Sequence, residues 1–211
     1  MATKNISTTK TLTAAQRASL KQLLRGECSH ELEEGVMDEF LDLGAVADYR
    51  RGETICRAGT IDHNIYIIIE GIVCRWRWDH NKETVDTFSL PGTMFTEYHC
   101  YYAGKPSHAF FEACCPTMLL KIPARAYDDL ISRSHEFARW CLSMAQCQLY
   151  TYEIRELNLS GSVRDRYMTL MDHRPDIIRQ VSLRTIAAYL GVSPQYLSTL
   201  RTKWLMKGGK D

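Results

Sequence analysis

Between residues 181 and 203 the apolar positions fall at helical spacing twice, with a break between the two runs. Leu183, Ile186, Ala187 and Leu190 make one apolar face, and Leu197 and Leu200 make the next. Ser182 stands where its hydroxyl can accept an orphan N–H of the first helix, and Gly191 supplies a stop that tolerates positive φ. Ser193 can cap the second helix, with Pro194 in its first turn, where a missing N–H costs nothing. Two short helices joined by a Gly-containing turn predict a helix-turn-helix. Its second helix leaves a polar and basic face. Ser193, Pro194, Gln195, Tyr196, Ser198, Thr199, Arg201 and Lys203 are therefore candidate contacts to double-stranded DNA. Gln, Ser and Thr can pair with base edges, and Arg and Lys with guanine or phosphate.

The pattern upstream is different. From 45 to 123 it breaks into short β-rich runs at 45–50, 54–57, 65–70, 72–78, 84–90, 109–113 and 117–123. Arg51-Gly52, Ala58-Gly59, Glu70-Gly71 and Pro91-Gly92 punctuate them. Even spacing of this kind predicts a small antiparallel barrel or jelly roll. Ahead of it, 1–12 is Thr/Lys/Ser-rich and reads as mobile. Thr13 then caps a helix carrying Leu20, Leu23 and Leu24, and an acidic helix over 32–43 carries Val36, Phe40 and Leu43.

After Pro123 the period returns to helical, over 124–132 and then in a long helix over 135–157. Phe137, Trp140, Met144, Cys147, Thr151 and Ile154 recur on the long helix at coiled-coil steps. Ala138, Cys141, Ala145, Leu149 and Tyr152 make a second stripe. Two stripes predict one face for the β domain and one for a twin subunit. The 137–154 seam is the candidate dimer interface. A break at 158–161 reads as a hinge. Ser162 and Asp165 have capping-box spacing, and Val163, Tyr167, Leu170 and Met171 line a helix that Pro175 is expected to end. The domains expected are 1–134, the helix 135–160 and 161–211, in an α+β fold with an antiparallel β-roll.

Composition excludes little. The 211 residues are 45% hydrophobic and 24% charged, with net charge +1, as in an ordinary globular protein. Charge distribution says more. Glu27, Glu31, Glu33, Glu34, Asp38, Glu39, Asp42 and Asp48 face no Lys or Arg between them in sequence. From Arg179 onward Arg179, Arg184, Arg201, Lys203, Lys207 and Lys210 meet only Asp211. That excess suits phosphate contact; the acids suit a solvated face. The start has no apolar signal-peptide core, and the run 65–69 is too short to span a bilayer, so a cytoplasmic location with no membrane partner is expected. Eight cysteines then read as reduced thiols.

Four stretches carry a family resemblance: R-A-G at 57–59, Y-I-I-I-E-G at 66–71, P-G-T-M-F at 91–95, and the helix-turn-helix. Together with their order they resemble the CRP/FNR family of bacterial transcription regulators. The resemblance implies a cyclic-nucleotide-binding-like β-roll, a homodimer, a palindromic operator, and RNA polymerase as a further partner. It also implies an effector pocket at Phe95, Glu97, Ser107, His108 and Ala109. Cyclic-AMP-binding members carry F-G-E there, then R-S-A or R-T-A. In this chain Thr96 replaces the Gly, Ser107 replaces the Arg, and His108 replaces the Ser or Thr. A cyclic phosphate needs a fixed cation, best an Arg fork, so cyclic AMP is not expected and the cofactor is unidentified.

Other effector chemistries also lack their residues. Cys28 stands alone where oxygen-sensing members cluster cysteines. His99, Cys100, His108, Cys114 and Cys115 have no metal-ligand spacing, so no metal is expected, and no haem ligand is identifiable. Tyr98, Tyr101, Tyr102, Phe110 and Phe111 are expected in the barrel core. The residues after 203 cannot build the β-hairpin wing common in the family. Two rival readings remain. One is a sensing module whose C-terminal helices contact protein. The other is a cupin-like metal enzyme, which wants an H-x-H set with a partner Glu that the chain lacks. No catalytic residue is expected.

Overall fold

The computed structural model describes residues 10–26, 30–158 and 161–207, with the backbone alone for 155–158 and 204–207. Expectations on 1–9, Cys28, 159–160 and 208–211 therefore lie outside the described residues. Two antiparallel four-stranded sheets form the β-roll. The first orders β1 (Ala45–Tyr49), β8 (Thr117–Pro123), β3 (Asn64–Glu70) and β6 (Met94–Phe95). The second orders β2 (Thr54–Cys56), β7 (Phe110–Ala113), β4 (Val73–Asp79) and β5 (Lys82–Ser89). The fold is α+β, as the pattern predicts.

β3 explains the continuous apolar run. Ile65 to Ile69 are all buried because both of its faces are covered. Ile65, Ile67 and Ile69 pack with the helices, and Tyr66 and Ile68 face the roll interior. Gly71 turns the chain from β3 to β4 at φ 93°. A Cβ there would stand 2.4 Å from Thr117 Oγ1, so only glycine fits.

Six helices follow the sequence closely: α1 (Ala14–Gly26), α2 (Glu34–Asp42), α4 (Ala124–Arg133), α5 (His135–Asn158), α8 (Leu183–Leu190) and α9 (Pro194–Lys207). The acids of α2 are not a free acidic surface. Arg17 pairs with Asp38 and Asp42, Lys21 with Glu34 and Asp38, Arg25 with Glu34, and Arg133 with Glu39. α6 (Val163–His173) begins with the expected capping box of Ser162 and Asp165. Pro175 does more than end it: it occupies the first turn of a further helix, α7 (Pro175–Gln180), where its missing N–H is tolerated. β6 and α3 (Tyr98–Tyr101) also escape the pattern, being two and four residues long.

The long helix requires a correction. Phe137, Trp140 and Met144 are 0%, 1% and 3% exposed, packed with Phe40 and Tyr127 in the protomer's own core. They cannot face a partner. Cys147 is half-buried, and Thr151 and Ile154 are exposed. The outward seam is instead Leu142, Ala145, Leu149 and Tyr152, at steps of three, four and three. Ala138 and Cys141 of the second stripe are half-buried, Cys141 against the core. A heptad seam looks the same in sequence whichever surface it meets.

Candidate nucleic-acid interface and effector pocket

Two caps set the helix-turn-helix. Ser182 Oγ accepts from Thr185 N–H (3.1 Å), and Gly191 closes α8 at φ 75°. Ser193 Oγ accepts from Tyr196 N–H (3.1 Å) and starts α9. Ile186, Ala187, Leu190 and Leu197 bury the inner side. Pro194, Gln195, Ser198, Thr199, Thr202 and Lys203 make up the open outer face of α9. Five of the eight expected DNA contacts lie along it: Pro194, Gln195, Ser198, Thr199 and Lys203. Ser193 and Tyr196 are exposed beside it. Thr202 was not among the expected contacts, although a step of three or four from Ser198 and Thr199 points to it.

Three cations depart from the sequence reading. The Arg201 guanidinium lies over the Tyr167 ring, 5.9 Å from its centroid, on the flank of α9. Arg184 bonds Glu83 at 2.7 Å and Arg179 bonds Asp176 at 3.2 Å. One acid distant in sequence, Glu83, and one three residues away, Asp176, thus reduce the expected positive excess. The Thr199 and Thr202 hydroxyls donate to Gln195 and Ser198 carbonyls (3.0 and 3.1 Å), leaving their oxygens to accept.

The helix-turn-helix sits on the second sheet. Val85 and Phe88 share one core with Val181, Ile186 and Ala187, and the Phe88 and Tyr189 rings lie 5.1 Å apart. Lys82 Nζ donates to the Gly191 carbonyl (2.8 Å), and Arg174 to that of Phe88 (3.2 Å).

The expected effector residues offer no free cation for a phosphate. Glu97 is buried, accepts from His99 N–H at 3.3 Å, and stands 3.8 Å from Arg75. Arg75 is already paired with Asp86, and Arg77 bonds Asp86 at 3.3 Å. Ser107 is buried with its hydroxyl turned to its own loop. It donates to the Ala109 carbonyl (2.7 Å) and accepts from Ala109 N–H (3.0 Å). His108 is exposed, its ring 4.0 Å from that of His99. Burial, with Asp62 beside it, pushes the Cys56 thiol up to about 12, so it stays protonated next to Ser107. Phe95 stacks between Tyr66 (5.2 Å) and Phe111 (5.1 Å) and fills the roll interior.

The expected aromatic core is divided. Phe111 is inside. Phe110 lies on the outer face against Trp76 at 4.2 Å, and Tyr98 and Tyr102 are exposed. His99, Cys100, His108, Cys114 and Cys115 do not converge. Cys100 turns to the Thr60 carbonyl, and Cys114 and Cys115 lie in the core shared with the C-terminal helices. Among the described residues no three such groups are placed to hold a metal.

Comparisons with known proteins fit this geometry. Residues 46–134 match the family model of the cyclic nucleotide-binding domain. FixK2 from Bradyrhizobium japonicum is similar in structure, at TM-score 0.64 and 20% identity over 78% of this chain and 86% of that one. The c-di-GMP-responsive global regulator CLP of Xanthomonas campestris gives 0.65 and 16% over 83% and 93%. The Thermus thermophilus catabolite activator protein gives 0.52 and 21% over 88% and 88%. At these identities the likeness is one of fold. No curated protein sequence matches the chain.

Proposed function

We propose that this protein is a homodimeric DNA-binding transcription regulator of the CRP/FNR type, with a β-roll sensor coupled to a C-terminal helix-turn-helix. One observation carries the reading. α9 buries Leu197 and turns a face of Pro194, Gln195, Ser198, Thr199, Thr202 and Lys203 outward. These are side chains suited to base edges and phosphates. The fold likeness to FixK2, CLP and the catabolite activator supports the same reading. The outward seam of Leu142, Ala145, Leu149 and Tyr152 supports a dimer through α5. RNA polymerase is the further partner this role calls for.

The sensor takes something other than cyclic AMP. No Arg stands at Ser107, and Arg75, the nearest guanidinium to Glu97, is held by Asp86. The effector is a small molecule of another class. Binding to duplex DNA, followed by fluorescence anisotropy over a salt series, tests the proposal. Affinity is expected to fall steeply with salt, and Lys203→Ala to lower the slope by about one. Absence of salt-dependent binding would favour a module whose C-terminal helices contact protein.

A further inference from the structure

The seam between the second sheet and the helix-turn-helix holds two thiols. Cys74 on β4 pairs opposite Glu112 on β7, and Cys114 N–H donates to the Ile72 carbonyl at 2.8 Å. That register sets Cys74 and Cys114 diagonally on one sheet face. Both are buried in the cluster that contains Val85, Phe88, Val181, Ile186 and Ala187. The neighbouring Cys114 thiol, then burial, raises the Cys74 thiol far above its usual range. A buried neutral thiol is unreactive. The core over these thiols is held at its edge by half-exposed polar contacts, Glu83 to Arg184 and Lys82 to the Gly191 carbonyl. Such contacts are individually weak.

We propose that Cys74 and Cys114 are a dithiol–disulfide site, oxidised by a hydroperoxide only when the helix-turn-helix lifts from the β4–β5 hairpin. One thiolate attacks the peroxide O–O bond, gives a sulfenic acid and releases water or an alcohol. The second thiol attacks that sulfur, the S–S bond forms, and a water leaves. The two sulfurs together lose two electrons and the peroxide gains them. The sulfurs then close to about 2.05 Å and withdraw from the surface on which the helices pack. Redocking weakens, and the recognition helices of a dimer lose their fixed arrangement, which costs affinity.

The effect on DNA rests on the function proposed above; the crosslink does not, so the two fail separately. Reduced full-length protein is treated with hydrogen peroxide and followed by intact mass and non-reducing peptide mapping. A 74–114 crosslink is expected, forming at least about fivefold faster in Glu83→Arg, which repels Arg184. It should be absent in Cys74→Ser and in Cys114→Ala, either of which serves if the other fails to fold. Oxidised wild type should exchange its α8 amides faster and bind duplex DNA at least about fivefold more weakly, reversed by dithiothreitol. No 74–114 crosslink, or one whose rate ignores Glu83→Arg, overturns the site. A crosslink that leaves α8 exchange unchanged overturns its control of docking.

Discussion

Single side chains decide whether the roll can hold a cyclic phosphate. Ser107 spends its hydroxyl on the Ala109 backbone, and Arg75 is committed to Asp86. Isothermal calorimetry with cyclic AMP is therefore expected to show no micromolar binding. A micromolar constant would mean that Arg75 leaves Asp86 for the phosphate. Glu112 is a second informative residue. Burial, and then the charge of Glu83, raises its carboxyl above the usual range, against a bond from Trp76 Nε1 at 3.3 Å. A raised carboxylate pKa favours the protonated folded protein. The penalty is thus absent below the unfolded pKa and present at neutral pH. Glu112→Gln, which keeps an acceptor for Trp76, should stabilise the protein at pH 7 by less than about 1 kcal/mol, given solvent screening. It should have no effect near pH 3.5. Urea denaturation at the two pH values checks this; a gain confined to the acid side would mean the burial cost is misassigned.

At the scale of elements, α5 does two jobs along its length. Its first half buries Phe137, Trp140 and Met144 under α2 and α4, and its outward residues Leu142, Ala145, Leu149 and Tyr152 stay exposed, the seam proposed above for a twin helix. Trp140→Ala should cost about 3–5 kcal/mol by denaturation, as for a large buried aromatic. Leu149→Glu should leave stability nearly unchanged and give monomers by sedimentation. A Leu149→Glu protein that remains dimeric would move the interface elsewhere. The sequence carried the strands, the two caps of the helix-turn-helix and the outer face of α9, because each rests on a local period or a local cap. It did not carry the sidedness of the 137–154 seam, which depends on where the helix leaves its own domain. Nor did it carry the Glu83–Arg184 pair, 101 residues apart, which turns an apparent phosphate contact into a clasp between domains. β6, α3 and α7 are shorter than the periods used to find them.

The whole molecule has three parts: a β-roll, the long helix α5, and a helix-turn-helix resting on the roll's outer face. β4 and β5 belong to both the first and the last. They carry Arg75 and Asp86 at the effector segment, and Val85 and Phe88 under α8. A two-fold dimer would present two copies of α9 about 34 Å apart, one turn of DNA. Selection of binding sites from random duplex DNA with wild type and Gln195→Ala tests this most directly. Wild type is expected to select a two-fold-symmetric motif with half-sites about one helical turn apart. Gln195→Ala is expected to select the same motif with preference relaxed at one position per half-site, a loss of about 1–3 kcal/mol there. A selection that enriches no symmetric motif, or a Gln195→Ala motif identical to the wild type's, would contradict it.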